Sequence, residues 1–163
     1  MKNTNARIQY HRKRNGRTNY KKRLKLLQSR KPRLIIRRSN KYVEIQIAEY
    51  EPDGDKIIVG ANSKALQEIG WKHSCNNIPA SYLAGLLLAK KAKENKIIEA
   101  ILDLGLQTPA KRSRLYAVLK GVIDGGIDVP ASKDVFPSEE RMTGKHISDK
   151  VAKDFESIKK KIK

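Results

Sequence analysis

No acidic residue occurs before Glu44, and 16 basic residues precede it. Cations at that density repel one another, and no local carboxylate neutralises them. Residues 1–30 therefore cannot close on themselves as a folded unit, and a core has to be sought after them. The remaining chain is nearly balanced. From Glu44 onward, 20 basic residues face 17 acidic ones, a net of +3 out of the +19 carried by all 163 residues. The excess charge is local, and a local excess points to a polyanionic partner.

That partner is a nucleic acid rather than a membrane. An interfacial helix needs large apolar residues along one face, and residues 1–23 offer only Ile8 and two tyrosines. The longest apolar run, AGLLLA (Ala84–Ala89), falls far short of the roughly 20 residues that span a bilayer. The N-terminus has charge but no apolar segment behind it, so no signal peptide is expected. A single cysteine, Cys75, cannot form an internal disulfide, which suits a reducing compartment. The expectation is a soluble, cytoplasmic protein of one domain with extensions.

Periodicity divides the chain into a basic N-terminal extension (1–30), a core (31–129) and a helical C-terminal extension (130–163). Residues 1–17 have too little apolar surface to order alone. Thr18 or Asn19 caps a short helix over Tyr20–Gln28, which Lys31–Pro32 ends. RLIIRR (Arg33–Arg38) reads as a strand, SNK (39–41) as a turn, and YVEIQIAEY (Tyr42–Tyr50) as an alternating strand. EPDGD (51–55) is turn chemistry before a third strand, Lys56–Ala61. Short turns between three strands imply an antiparallel meander.

Ser63–Gly70 then reads as a short helix, and Trp71–Asn77 as a polar loop. Ile78–Lys96 is a helix capped by Asn77, Ile97–Gly105 a largely apolar strand, and Lys111–Gly126 a second helix. Strand, helix, strand implies a crossover and a parallel pairing. The expected fold is mixed α/β: a small sheet ordered third, second, first, fourth, with helices packed on it. Beyond Pro130, Ser138 caps a short helix. Ile147, Val151, Phe155, Ile158 and Ile162 mark an amphipathic helix over Ser148–Lys163. Whether it covers the core or a partner is not decided by its sequence.

Three basic motifs are candidates for phosphate contact. The first is the arm: Arg7, Arg12, Lys13, Arg14, Arg17, Lys21, Lys22, Arg23 and Lys25, with Tyr10 and Tyr20 available to stack on bases. A solvated tail kept for solubility is the plainer reading, and the absence of acids over 43 residues weighs against it. The second is RRSNK, the hairpin tip Arg37, Arg38, Ser39, Asn40 and Lys41. Alone it reads equally as an ordinary polar turn. The third is the helix start Lys111, Arg112, Ser113 and Arg114, where basic side chains oppose the helix dipole unless an anion lies between.

Enzymatic readings find less support. Cys75 and His73 stand two residues apart in a polar loop with no further nucleophile signature. One cysteine and three scattered histidines do not make a zinc site, and no phosphate-cradling glycine loop occurs. A metal-dependent nuclease of RNase H-like fold would need clustered carboxylates. Glu44, Asp103 and Asp124 are the candidates, but the first strand carries arginines where that fold would want an acid. A non-specific DNA-packaging protein is the other alternative. No catalytic residue, metal or cofactor is assigned.

The strings RTNYKKRLKLLQSRKPRLIIRRSNKYVEIQIAEYEPDGDKIIVGANS, NIPASYLAGLLLAKKA, ILDLGL, SRLYAVLKGVIDGGIDVP and FPSEERMTGKHI follow one another from about Arg14 to Ile147. Taken in order, they resemble the archaeal branch of the ribosomal protein L-eighteen family, the 5S rRNA-binding proteins of the large subunit. The resemblance implies a mixed α/β domain with a basic N-terminal extension and a structural, non-catalytic role. It implies 5S rRNA, large-subunit rRNA and neighbouring proteins of the central protuberance as partners, including the other 5S-binding protein. It implies neither a membrane nor a small-molecule substrate. The family's basic segment matches Arg12–Lys25, including Arg14, Arg17, Tyr20 and Arg23. Its R-S-N turn matches Arg38, Ser39 and Asn40, and its basic helix start matches Arg112, Ser113 and Arg114. The resemblance assigns no role to the tail beyond Ile147 or to the loop around Cys75.

Overall fold

A computed structural model describes residues 8–162; Arg7 lies outside the described residues. Alternation builds the sheet. Strand β1 (Arg33–Arg38) turns Leu34 and Ile36 to one face, and β2 (Val43–Glu49) adds Val43, Ile45 and Ile47. All five are fully buried, each worth about 1.5–3 kcal/mol. Strand β3 (Lys56–Asn62) pairs antiparallel with β2 across a bulge at Ile47/Ala48, and β4 (Ile101–Asp103) pairs parallel with β1. The order is β3-β2-β1-β4, the meander plus crossover expected.

Two helices cover the buried face. Asn77 caps α3 (Ile78–Glu94) by accepting from the amide of Ala80 at 2.9 Å, with proline in the first turn. Its neighbour α4 (Arg114–Asp124) approaches so closely that glycines face backbone. A Cβ on Gly85 would collide with Val118 O, and one on Gly121 with Tyr82 O.

Four sequence expectations need correction. The fourth strand is three residues long, not nine, because the segment before it leans on a different neighbour. Ala100 donates its amide to Asp128 O, Asp128 donates to Ile98 O, and Ile98 is 75% exposed. The second long helix starts at Arg114 rather than Lys111, because Arg112 takes a left-handed conformation (φ 58°) that breaks the turn. Ser63–Gly70 holds only a 3₁₀ turn over Ser63–Leu66. The loop Trp71–Asn77, polar by composition, sends Trp71 and Cys75 into the core.

At the C-terminal end, α5 (Glu139–Thr143) is one short helix, and α6 (Asp149–Ile162) seats Val151, Phe155, Ile158 and Ile162 inward. Phe155 meets Tyr82 of α3 at 5.6 Å between ring centres. The amphipathic helix therefore covers the core. Ile147 precedes it and is half-exposed, outside the stripe. His73 of the buried-anchored loop pairs with Asp154 of α6 at 2.8 Å.

Candidate nucleic-acid interface

The arm is folded back on the sheet rather than trailing from it. Residues 11–14 form one exposed helical turn, α1 (His11–Arg14), and α2 follows over Tyr20–Leu27. Asn19, not Thr18, caps α2, accepting from Lys22 N at 3.1 Å. Thr18 instead accepts from Arg12 Nε at 2.9 Å. Tyr10 and Tyr20 lie against each other with centroids 5.1 Å apart.

The anchor is ionic. Arg23 of α2 makes a two-pronged contact with Asp55 at 2.9 and 2.7 Å. Asp55 also lies 2.6 Å from Nη2 of Arg33, which is only 1% exposed. That contact lacks an aligned N–H, and both Nη2 and Nε of Arg33 have no hydrogen-bond acceptor. Arg33 Nη1 donates to Asp103 Oδ2 at 3.1 Å. Arg37 donates from Nη1 to the Asp103 carbonyl at 2.9 Å. Three arginines thus share two carboxylates.

The Arg23 hydrogen bond, followed by Arg33, holds the Asp55 carboxyl down from the usual 3.8 to about 2, against the opposing effect of burial. The same bond raises Arg23 above its ordinary value. A depressed carboxyl stabilises the fold above its unfolded pKa and loses that contribution as pH falls towards the folded one. Asp55→Asn should therefore cost about 1 kcal/mol at neutral pH, allowing for partial solvent screening. The deficit should shrink between about pH 4 and pH 2, read as urea midpoints at each pH. A deficit unchanged down to pH 2 would disprove the anchor's charge.

The other two motifs meet one another. Ser39 closes the hairpin tip: its amide and hydroxyl both donate to Tyr42 O, at 2.8 and 2.9 Å. The backbone oxygen of Asn40 accepts from Asn76 Nδ2, and Arg114 Nη1 donates to Asn76 O at 3.0 Å and to its Oδ1. Asn76 thereby bridges the RRSNK tip to the start of α4. Nothing in the sequence marked Asn76; it lies 36 residues from Asn40 and 38 from Arg114.

Occupancy sorts the sequence candidates. Arg23, Arg37 and Arg114 spend their guanidinium groups inside the protein. Among the described residues, Lys13, Arg14, Arg17, Lys21, Lys22, Lys25, Arg38, Lys41, Lys111 and Arg112 are exposed and in no ion pair. Ser113 is half-buried, with an Oγ that has no partner.

The acids of the nuclease reading do not converge. Asp103 is held by Arg33 and Arg37, and by the amide of Gly105 at 2.8 Å. Glu44 is exposed on β2, with β1 between it and β4. Asp124 accepts from the Tyr82 hydroxyl at 2.9 Å and from Lys120 at 2.7 Å. Among the described residues no three metal-ligating side chains gather. Burial pushes the Cys75 thiol up, away from the thiolate a nucleophile needs. No helix of the described residues is long and apolar enough to cross a membrane.

The family described as ribosomal large subunit proteins 60S L5, and 50S L18, matches residues 4–97 and 90–132. A large ribosomal subunit protein uL18 from Korarchaeum cryptofilum (strain OPF8) is 47% identical over 141 residues, covering 86% of this chain and 72% of that protein.

Proposed function

The chain belongs to the family of ribosomal large subunit proteins 60S L5 and 50S L18, and from that membership we propose that it binds 5S rRNA and helps fasten it to large-subunit rRNA in the central protuberance. Its role as a component of the cytoplasmic ribosome's large subunit is structural rather than catalytic. Residues 1–30 serve as the RNA-binding extension, 31–129 as the core that carries it, and 130–163 as an extension whose apolar face closes the core. Neighbouring proteins of the protuberance, including the other 5S-binding protein, complete the set of partners.

One observation carries the reading. Among the described residues, the outward cations of the arm are in no ion pair, while the carboxylates beside them, Asp55 and Asp103, are consumed by Arg23, Arg33 and Arg37. The surface keeps its own acids away from its exposed cations, which suits phosphate neutralisation. Arg38, Lys41, Lys111 and Arg112 extend it across the Asn76 bridge.

The test is binding of the purified protein to 5S rRNA over a salt series, with duplex DNA as competitor. Tight binding that survives competition is expected. Arg14→Ala with Arg17→Ala should weaken it about tenfold and flatten the slope of log K against log salt by roughly 1.5. Lys160→Ala with Lys161→Ala on α6 serves as the control. Equal losses from the two pairs would remove the arm from the site, and equal affinity for DNA would leave a generic polyanion binder.

A further inference from the structure

The helix of the arm does not lie flush on the sheet. Between them is a cavity of about 520 Å³, within the range of roughly 300–1,000 Å³ typical of small-ligand sites. Its two sides differ in chemistry. Ile35, Leu102, Leu104 and Tyr116, all half-buried, give it an apolar floor. Arg12, Arg17 and Lys22 of the arm give it a cationic wall, with Arg37 also in the lining. The two acids in the lining, Asp55 and Asp103, are already neutralised by the arginines around them.

An occupant of such a site has a flat apolar body and an attached anion. Phosphate alone has no use for an apolar floor of this size, and an acyl chain has no use for the cations. We infer that the cavity receives one unstacked nucleotide of the bound RNA, its base on the floor with Tyr116 and its phosphate among Arg12, Arg17 and Lys22. The inference rests on the RNA-binding reading and names a place within it.

Two features favour a nucleotide in a strand over a free one. Lys13 and Arg14 of α1, and Arg38 next to the lining residue Arg37, are exposed and in no ion pair, so cations continue past the cavity for flanking phosphates. Unstacked bases are also what proteins read in folded RNA, by stacking on aromatic rings and guanidinium planes.

The experiment is ultraviolet crosslinking of the full-length protein bound to 5S rRNA, followed by nuclease and trypsin digestion and mass spectrometry. A mononucleotide adduct on Tyr116, in the peptide over residues 115–120, is expected beside adducts on the arm. A second arm uses Leu106→Trp. Leu106 lines the cavity and is 53% exposed, so the larger ring fills space without touching the core. Affinity for 5S rRNA should fall about tenfold, the scale of one lost base stack.

Adducts confined to the arm and hairpin tip, or a Leu106→Trp protein that binds like the wild type, would overturn the cavity while leaving the RNA reading intact. Saturable crosslinking of a free nucleoside monophosphate to Tyr116 that RNA does not displace would reassign the cavity to a soluble nucleotide. No binding and no adducts anywhere would overturn the RNA reading itself, and the cavity with it.

Discussion

Asp103→Ala is expected to cost about 3–5 kcal/mol of folding stability, the range for removing one partner of a buried ion pair. The reason lies with the arginine left behind. Arg33 is 1% exposed, and two of its nitrogens already lack hydrogen-bond acceptors. Its one aligned carboxylate bond runs to Asp103 Oδ2. Without it, the guanidinium keeps only the close but misaligned contact with Asp55. The same substitution frees the amide of Gly105 and one side of Arg37.

Asp103→Asn retains the shape and an acceptor for Gly105, so it should fall between wild type and alanine. Arg33→Met combined with Asp103→Leu should recover most of the loss, because removing both charges also removes their desolvation cost. Arg23 and Asp55 would remain paired in that background. Urea denaturation with m-values checks all three. An alanine variant within about 1 kcal/mol of wild type would show that solvent reaches Arg33 after all.

The strand alternation made most of the sheet legible and Arg33 illegible. Leu34 and Ile36 on one face, with Val43, Ile45 and Ile47 beside them, were enough to fix the meander and its order. The opposite face of β1, Arg33–Ile35–Arg37, reads as the solvent side, because alternation says which residues share a face and not what covers it. Its cover is α2, fastened by Arg23 to Asp55 across 32 residues, and beneath it Arg33 of β1 reaches Asp103 of β4 across 70. No local pattern reports such pairs.

The same limit hid the cavity, which exists only once the arm is docked. It also explains how the candidate residues divide. Charge counting located the excess of cations in the arm. It could not separate Lys13 and Arg14, which are exposed and in no ion pair, from Arg23, which holds the arm in place. The left-handed Arg112 that delays α4 is likewise invisible, since left-handed geometry favours glycine or asparagine and arginine gives no hint of it.

One interior signal was present in the sequence. Gly85 sits in the middle of a strong helix, where glycine costs about 1 kcal/mol relative to alanine. A residue kept at that cost has a packing reason. Gly85 of α3 lies against Val118 and Gly121 of α4, and Gly121 lies against Tyr82 and Leu86. On intrinsic propensity alone, Gly85→Ala and Gly121→Ala should each stabilise a helix. Packing reverses the sign. The added methyl meets a backbone carbonyl, which no rotamer change can move, so the helices must separate. Each variant should lose about 3 kcal/mol or more, the upper end of overpacking costs.

The double variant should lose clearly less than the sum, because one separation relieves both clashes. The loss should also reach the proposed RNA surface, since α4 carries Arg114 to its Asn76 bridge and Tyr116 to the cavity. Thermal and urea unfolding give the stabilities, and 5S rRNA affinity at a temperature where the variants remain folded gives the coupling. Either single variant proving as stable as wild type would mean that the two helices are not locked at this crossing. Additive losses would mean that the two glycines answer to different contacts.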